Sequence, residues 1–198
     1  MIRYLDTKAR DKQAIGERGD LDTMNRLPDL MAGKIGLLAG PSAEREAMFR
    51  SVSILALRGP VSVLDGGNCF NAFRVARYVR SQTPHLDEAL DRISIARAFT
   101  CYQVVSLFEQ TPATEAPKLV LDLLSTFCDE SVTVPECERL LRIVIDHLHR
   151  FKSLGPVMVS IRPPPQPERS GLVDLISSAA DQIYARDIPV EPITPTLF

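Results

Sequence analysis

The segment Lys118-Leu119-Val120-Leu121-Asp122-Leu123-Leu124 constrains the fold more than any other part of the chain. Its nearly continuous apolar run is what a parallel strand needs when helices cover both faces of its sheet. A strand with one wet face would alternate polar and apolar residues instead. Val157-Met158-Val159-Ser160-Ile161 has the same character, and shorter strands are predicted over 35–39, 61–65, 92–96 and 182–186. Helical periodicity fills the gaps between them. One helix runs from a Ser42 cap to about residue 58, with Ala47, Met48, Val52, Leu55 and Ala56 on one face. A second lies over 70–81 and carries Phe70, Phe73, Ala76 and Val79; a short one covers 85–90, and another 99–109. Thr133-Val134-Pro135-Glu136 reads as a capping box with proline in the first turn, opening a helix through Cys137, Leu140, Leu141, Val144, Leu148 and Phe151. The last helix is expected over 172–180. Strands alternating with helices predict an α/β fold in three layers, with a largely parallel central sheet and helices on both faces.

With 45% hydrophobic residues among 198, the chain can bury a core within one domain over 33–188. Residues 1–32 read as a polar N-terminal extension, and 189–198 as an extended, proline-rich tail. A net charge of −2 supplies no global field for nucleic acid, so any such binding needs a local patch. The N-terminus lacks the apolar run of a signal peptide, and no stretch reaches the length of a membrane span, so a cytoplasmic protein without a membrane partner is expected. The four cysteines form no C-x-x-C pair, and His147 and His149 lie two apart on a helix, so neither set predicts a metal site.

The order of segments resembles the core ATPase domain of RecA/RadA-type recombinases, from about Leu27 to Ile188. The most specific piece is Arg92-Ile93-Ser94-Ile95-Ala96-Arg97-Ala98-Phe99, a strand ending in Ala-Arg-Ala before an aromatic residue and a helix. Val63-Leu64-Asp65-Gly66-Gly67-Asn68, Leu119-Val120-Leu121-Asp122 and the helix-then-strand ending support it. The resemblance implies a nucleotide site formed by Gly40 and Ser42 after the first strand, with Asp65 and Asp122 at strand ends and Asp122 beside magnesium. It also implies that the loops 125–135 and 163–171 correspond to those that hold single-stranded DNA.

The chemistry of that site is missing. A phosphate-binding loop needs G-x-x-x-x-G-K-[ST], with glycines for close approach and a lysine for charge. Counted from Gly40, Arg45 stands at the second glycine, Glu46 at the lysine and Ala47 at the hydroxyl. Gly67 stands where the family has its water-activating glutamate. Glu44 and Glu46 place negative charge where a helix N-terminus would otherwise draw phosphate. A carboxylate about 4 Å from a phosphate costs roughly 4 kcal/mol per unit charge at an effective dielectric near 20. ATP and magnesium are therefore disfavoured, and the plainer reading of Asp65 and Asp122 is as inherited residues bonded to nearby backbone. Arg74, Arg77 and Arg80 form a basic stripe that reads first as a solvated helix face and second as a phosphate contact, with Arg162 and Arg169 flanking the proline loop as further candidates for nucleic acid. Arg97 reads as a structural ion pair or a subunit contact. The expected function is a non-hydrolytic RecA-like domain that binds or assembles with a protein partner or itself. The rivals are an ATP-binding member with an atypical loop and a single-stranded DNA-binding module.

Overall fold

The computed structural model describes residues 30 and 32–185. The predicted N-terminal extension and proline-rich tail fall almost wholly outside those residues. Six strands and six helices alternate: β1 (Ile35–Ala39), α1 (Arg45–Ala56), β2 (Val61–Asp65), α2 (Ala72–Arg80), α3 (Leu86–Asp91), β3 (Ile93–Arg97), α4 (Cys101–Gln110), β4 (Lys118–Leu121), α5 (Val134–Lys152), β5 (Val157–Ile161), α6 (Gly171–Ala179) and β6 (Gln182–Ala185). They form one sheet in the order β3-β2-β4-β5-β1-β6, and every pairing is parallel. The α/β architecture expected from the apolar strands is the one observed.

The alternation of side chains along each strand makes the three layers. Leu38, Val61, Val63, Leu119, Leu121 and Met158 point to one face, where Met48, Phe49 and Val52 of α1, Val75 and Val79 of α2, and Ala89 of α3 cover them. Ile35, Leu37, Val120, Val157, Val159 and Ile161 point to the other, covered by α4, α5 and α6. Leu119 and Val120 thus serve opposite cores, which is why β4 cannot alternate in polarity.

Connections leaving β1 and β2 run over the first face, and those leaving β3, β4 and β5 over the second. Where neighbouring strands send their connections to opposite faces, the chain leaves a crevice at the carboxyl edge of the sheet, the usual ligand position in such folds. This topology creates one crevice between β1 and β5 and another around β3, β2 and β4.

Several local expectations are corrected. Helix α1 begins at Arg45 rather than Ser42, with Glu44 as its N-cap residue in the left-handed region and no side-chain cap bond. The Thr133 capping box does not close: Thr133 makes no cap bond, and Glu136 turns to Arg139 at 2.7 Å and 2.8 Å. Strand β4 stops at Leu121, and Leu123–Cys128 coils into a 3-10 turn. Phe73, placed with the apolar residues of α2, is 90% exposed. No helix among the described residues is long and apolar enough to cross a membrane.

Candidate functional site

The β1–β5 crevice is where the sequence resemblance puts phosphate. Gly40 anchors to β5 through its N–H on the Ile161 carbonyl (3.2 Å), and the Ala43 N–H closes a turn on the Gly40 carbonyl (3.0 Å). Ala43 and Glu44 both take positive φ values, 53° and 44°, a conformation that L-residues other than Asn, Asp and Gly seldom adopt. The turn folds Glu44 back over Gly40, so that a β-carbon on Gly40 would lie 3.1 Å from the Glu44 carboxyl carbon and overlap the carboxylate oxygen. A carboxylate of the chain itself thus lies over the first glycine of the loop. Glu46, at the lysine position, turns outward to Arg74 (2.6 Å). Ser42 is exposed and lies outside the helix it was expected to cap.

Both strand-end aspartates are fully buried. Asp65 holds the loop that follows it, accepting from the Cys69 N–H and the Phe70 N–H, each at 2.9 Å. Arg97 completes the arrangement, with Nε 3.2 Å from Asp65, Nη1 on Asn68 Oδ1 and Nη2 on the Phe70 carbonyl. The plainer expectation for Asp65, backbone bonding, matches this geometry, and so does the structural ion pair expected of Arg97.

Asp122 has a left-handed backbone (φ 46°), which aspartate tolerates better than most residues. Its N–H donates to Ser160 Oγ (3.0 Å), the lone hydroxyl in the apolar β5. Its Oδ2 lies 3.3 Å from Arg45 Nη2 and 3.6 Å from Arg162 Nη2. The two guanidiniums face Oδ2, which leaves Oδ1 as the buried carboxylate oxygen without a hydrogen-bond partner among the described residues. No group of three His, Cys, Asp or Glu side chains suited to a metal gathers among the described residues.

Gly67, where the sequence resemblance would put a glutamate, lies against Asp122. A β-carbon there would fall 2.5 Å from the Asp122 Cβ, so a side chain cannot enter without moving the aspartate.

The second crevice is open. Gly66, Gly67 and Asn68 after β2, Ala98 and Phe99 after β3, and the turn after β4 enclose about 400 Å³. Asn68 is held left-handed (φ 49°), and the Gly66 and Gly67 N–H groups both donate to the Leu121 carbonyl. Cys69 beside this crevice has its thiol pushed up to about 12, first by burial and then by the Asp65 charge. Cys128 in its wall is also raised, mainly by burial. Neither is a ready nucleophile.

The five arginines proposed for nucleic acid are not brought together. Arg74, Arg77 and Arg80 lie along α2, and Arg162 pairs with Asp122. Arg169 is 4% exposed and donates to the carbonyls of Phe127 (2.6 Å), Asp129 (2.9 Å) and Val132 (2.8 Å). It staples the loops 125–135 and 163–171 to each other and has no guanidinium face left for phosphate. The charge of Arg169 drew attention in the sequence, but its carbonyl partners are more than thirty residues away and carry no side-chain signal. Ser160 left a trace that could have been read, a single hydroxyl in a strand buried on both faces.

No family model matches this chain, and no curated protein matches it.

Proposed function

We propose that the chain is a non-hydrolytic, RecA-like α/β domain that serves as a binding or assembly module, in the setting of DNA repair or recombination, with a protein partner or a second copy of itself. The observation that carries this reading is the Glu44 carboxylate folded over Gly40. Phosphate entering there meets like charge in place of a lysine. Asp65 supports it too, since its carboxylate is committed to Arg97 and to two backbone N–H groups, while Oδ2 of Asp122 faces Arg45 and Arg162.

The sheet edge supports the reading of a protein contact. β3 is paired with β2 on one side and is terminal in the sheet. Ile95 on it and Phe99 and Tyr102 just after it are 43%, 64% and 51% exposed. An exposed edge strand flanked by apolar and aromatic side chains favours protein contact.

Titration calorimetry with ATP and magnesium tests the reading. The unaltered chain should give no binding heat at micromolar concentrations, and Glu44→Ala should gain weak phosphate affinity by removing the like charge. Micromolar binding by the unaltered chain, with turnover abolished in Asp122→Ala, would overturn it in favour of an active ATPase.

A further inference from the structure

Helix α2 presents Phe73, Arg77 and Arg80 to solvent at spacing i, i+4 and i+7, which aligns them on one face over about 10 Å. Val75 and Val79 occupy the opposite, buried face. Phe73 is 90% exposed, more than any other large hydrophobic among the described residues. The core beneath already has its aromatic pair, Phe49 against Phe70 at 6.0 Å in edge-to-face contact. Packing therefore gives no reason for a ring at position 73. Among the described residues neither Arg77 nor Arg80 has an ion-pair partner, whereas Arg74 is held by Glu46 at 2.6 Å. Cations in the last turn complement the helix dipole. That accounts for Arg77 and Arg80 but leaves the ring unexplained. Beyond Arg80 the surface dips into a shallow concavity of about 580 Å³ lined by Ser81, Gln82, Thr83, Pro84 and Leu86.

We propose that this face of α2 binds single-stranded nucleic acid. One base stacks on the Phe73 ring, and successive phosphates meet Arg77 and Arg80, with the strand continuing into the hollow beyond. An aromatic platform with unneutralised guanidiniums beside it is the sequence-tolerant way to hold a single strand. A duplex hides its base faces, so the ring selects against it. The charge complementarity is local, which a chain of net charge −2 requires. This site lies on a different surface from the β1–β5 crevice and stands whether or not nucleotide binds there.

The test is fluorescence anisotropy of the full chain with labelled oligo-dT and oligo-rU of about 20 nucleotides, from about 50 to 200 mM salt. Saturable binding of either strand is expected, with affinity falling against salt at a logarithmic slope of about −1.4 for two phosphates. Phe73→Ala should weaken binding roughly 5- to 150-fold, and Phe73→Tyr should retain it. The Arg77→Ala/Arg80→Ala double variant should abolish the salt slope, with melting curves showing each variant folded. No binding of either strand at low salt would overturn the proposal. So would unchanged affinity in Phe73→Ala, tighter binding of a duplex, or equal affinity for a labelled poly-glutamate peptide, which would mark an acidic protein partner instead.

Discussion

The two crevices at the carboxyl edge share a topological origin and have opposite fates. The β1–β5 crevice carries the glycine turn that invites phosphate, and a glutamate of its own turn lies across it. The crevice around β3, β2 and β4 is lined by the Gly66-Gly67-Asn68 turn and by Ala98 and Phe99 and encloses about 400 Å³. The difference lies in which residues each can spare. In the first, Glu44 is carried over Gly40 by two consecutive left-handed residues, so backbone conformation and charge act together to close it. In the second, the polar groups face inward. Asp65 and Arg97 tie the loop after β2 to the end of β3, and Arg169 ties down the turn after β4. Its walls are bonded to one another, through Arg97 to the loop after β2 and through the Gly66 and Gly67 N–H groups to Leu121.

The comparison is broken most severely by removing an anchor. Asp65→Ala leaves the buried Cys69 and Phe70 N–H groups and one side of Arg97 without their acceptor. Orphaning the two donors costs about 1–3 kcal/mol each, and the loss of the Asp65 carboxylate beside the exposed Arg97 adds little because water replaces it. At about 2–4 °C per kcal/mol for a chain of this size, the melting temperature should fall by about 10 °C. Thermal denaturation measures this; a loss under 2 °C would show that the loop after β2 stands without Asp65. A smaller effect is expected at the boundary between the crevices. Gly67→Ala sets a methyl 2.5 Å from the Asp122 Cβ. Overpacking of this kind costs about 1–3 kcal/mol. The clash should also pull Asp122 from Arg45 and Arg162, so removing Asp122 in the same chain should cost less than the two changes made separately. Strict additivity would mean that Gly67 and Asp122 do not press on each other.

The sheet was legible in the sequence because its strands had to be apolar on both faces, as Leu119, Val120 and Leu121 show. That the turn after β1 departs from the phosphate-loop pattern was legible for a similar reason: lysine and glycine at fixed spacing are requirements of charge and backbone reach, so they can be counted. Which glutamate would lie over Gly40 was not, because that depends on the left-handed turn at Ala43 and Glu44, and neither residue signals a positive φ. Phe73 was misplaced for a related reason. At helical spacing it fits the apolar series Phe70, Ala76 and Val79 only loosely, and the space beneath α2 is filled by Phe49 and Phe70. Arg169 shows the limit of composition. A charged residue beside a proline-rich loop reads as surface until the carbonyls that hold it are brought near by the fold.

The finest effect is expected at Cys69, in the loop after β2 beside the open crevice. Burial and the Asp65 carboxylate both disfavour the thiolate, raising the thiol from an ordinary 9.0 to about 12. The folded chain therefore keeps the proton where the unfolded chain loses it. Stability owed to this group is complete below pH 9 and declines as pH rises from there toward 12. Between those limits, alkylation of folded Cys69 by iodoacetamide should lag far behind that of a free thiol, since only the thiolate attacks. Asp65→Asn removes the charge and keeps one acceptor oxygen, enough for one of the two backbone donors. It should speed the reaction and move its pH midpoint down, though not to 9, because burial remains the larger cause. Mass spectrometry of the modified peptide reads the rate directly. If Cys69 reacted at pH 8 as fast as a denatured control, the loop after β2, beside the open crevice, would be solvated and its thiol unshielded.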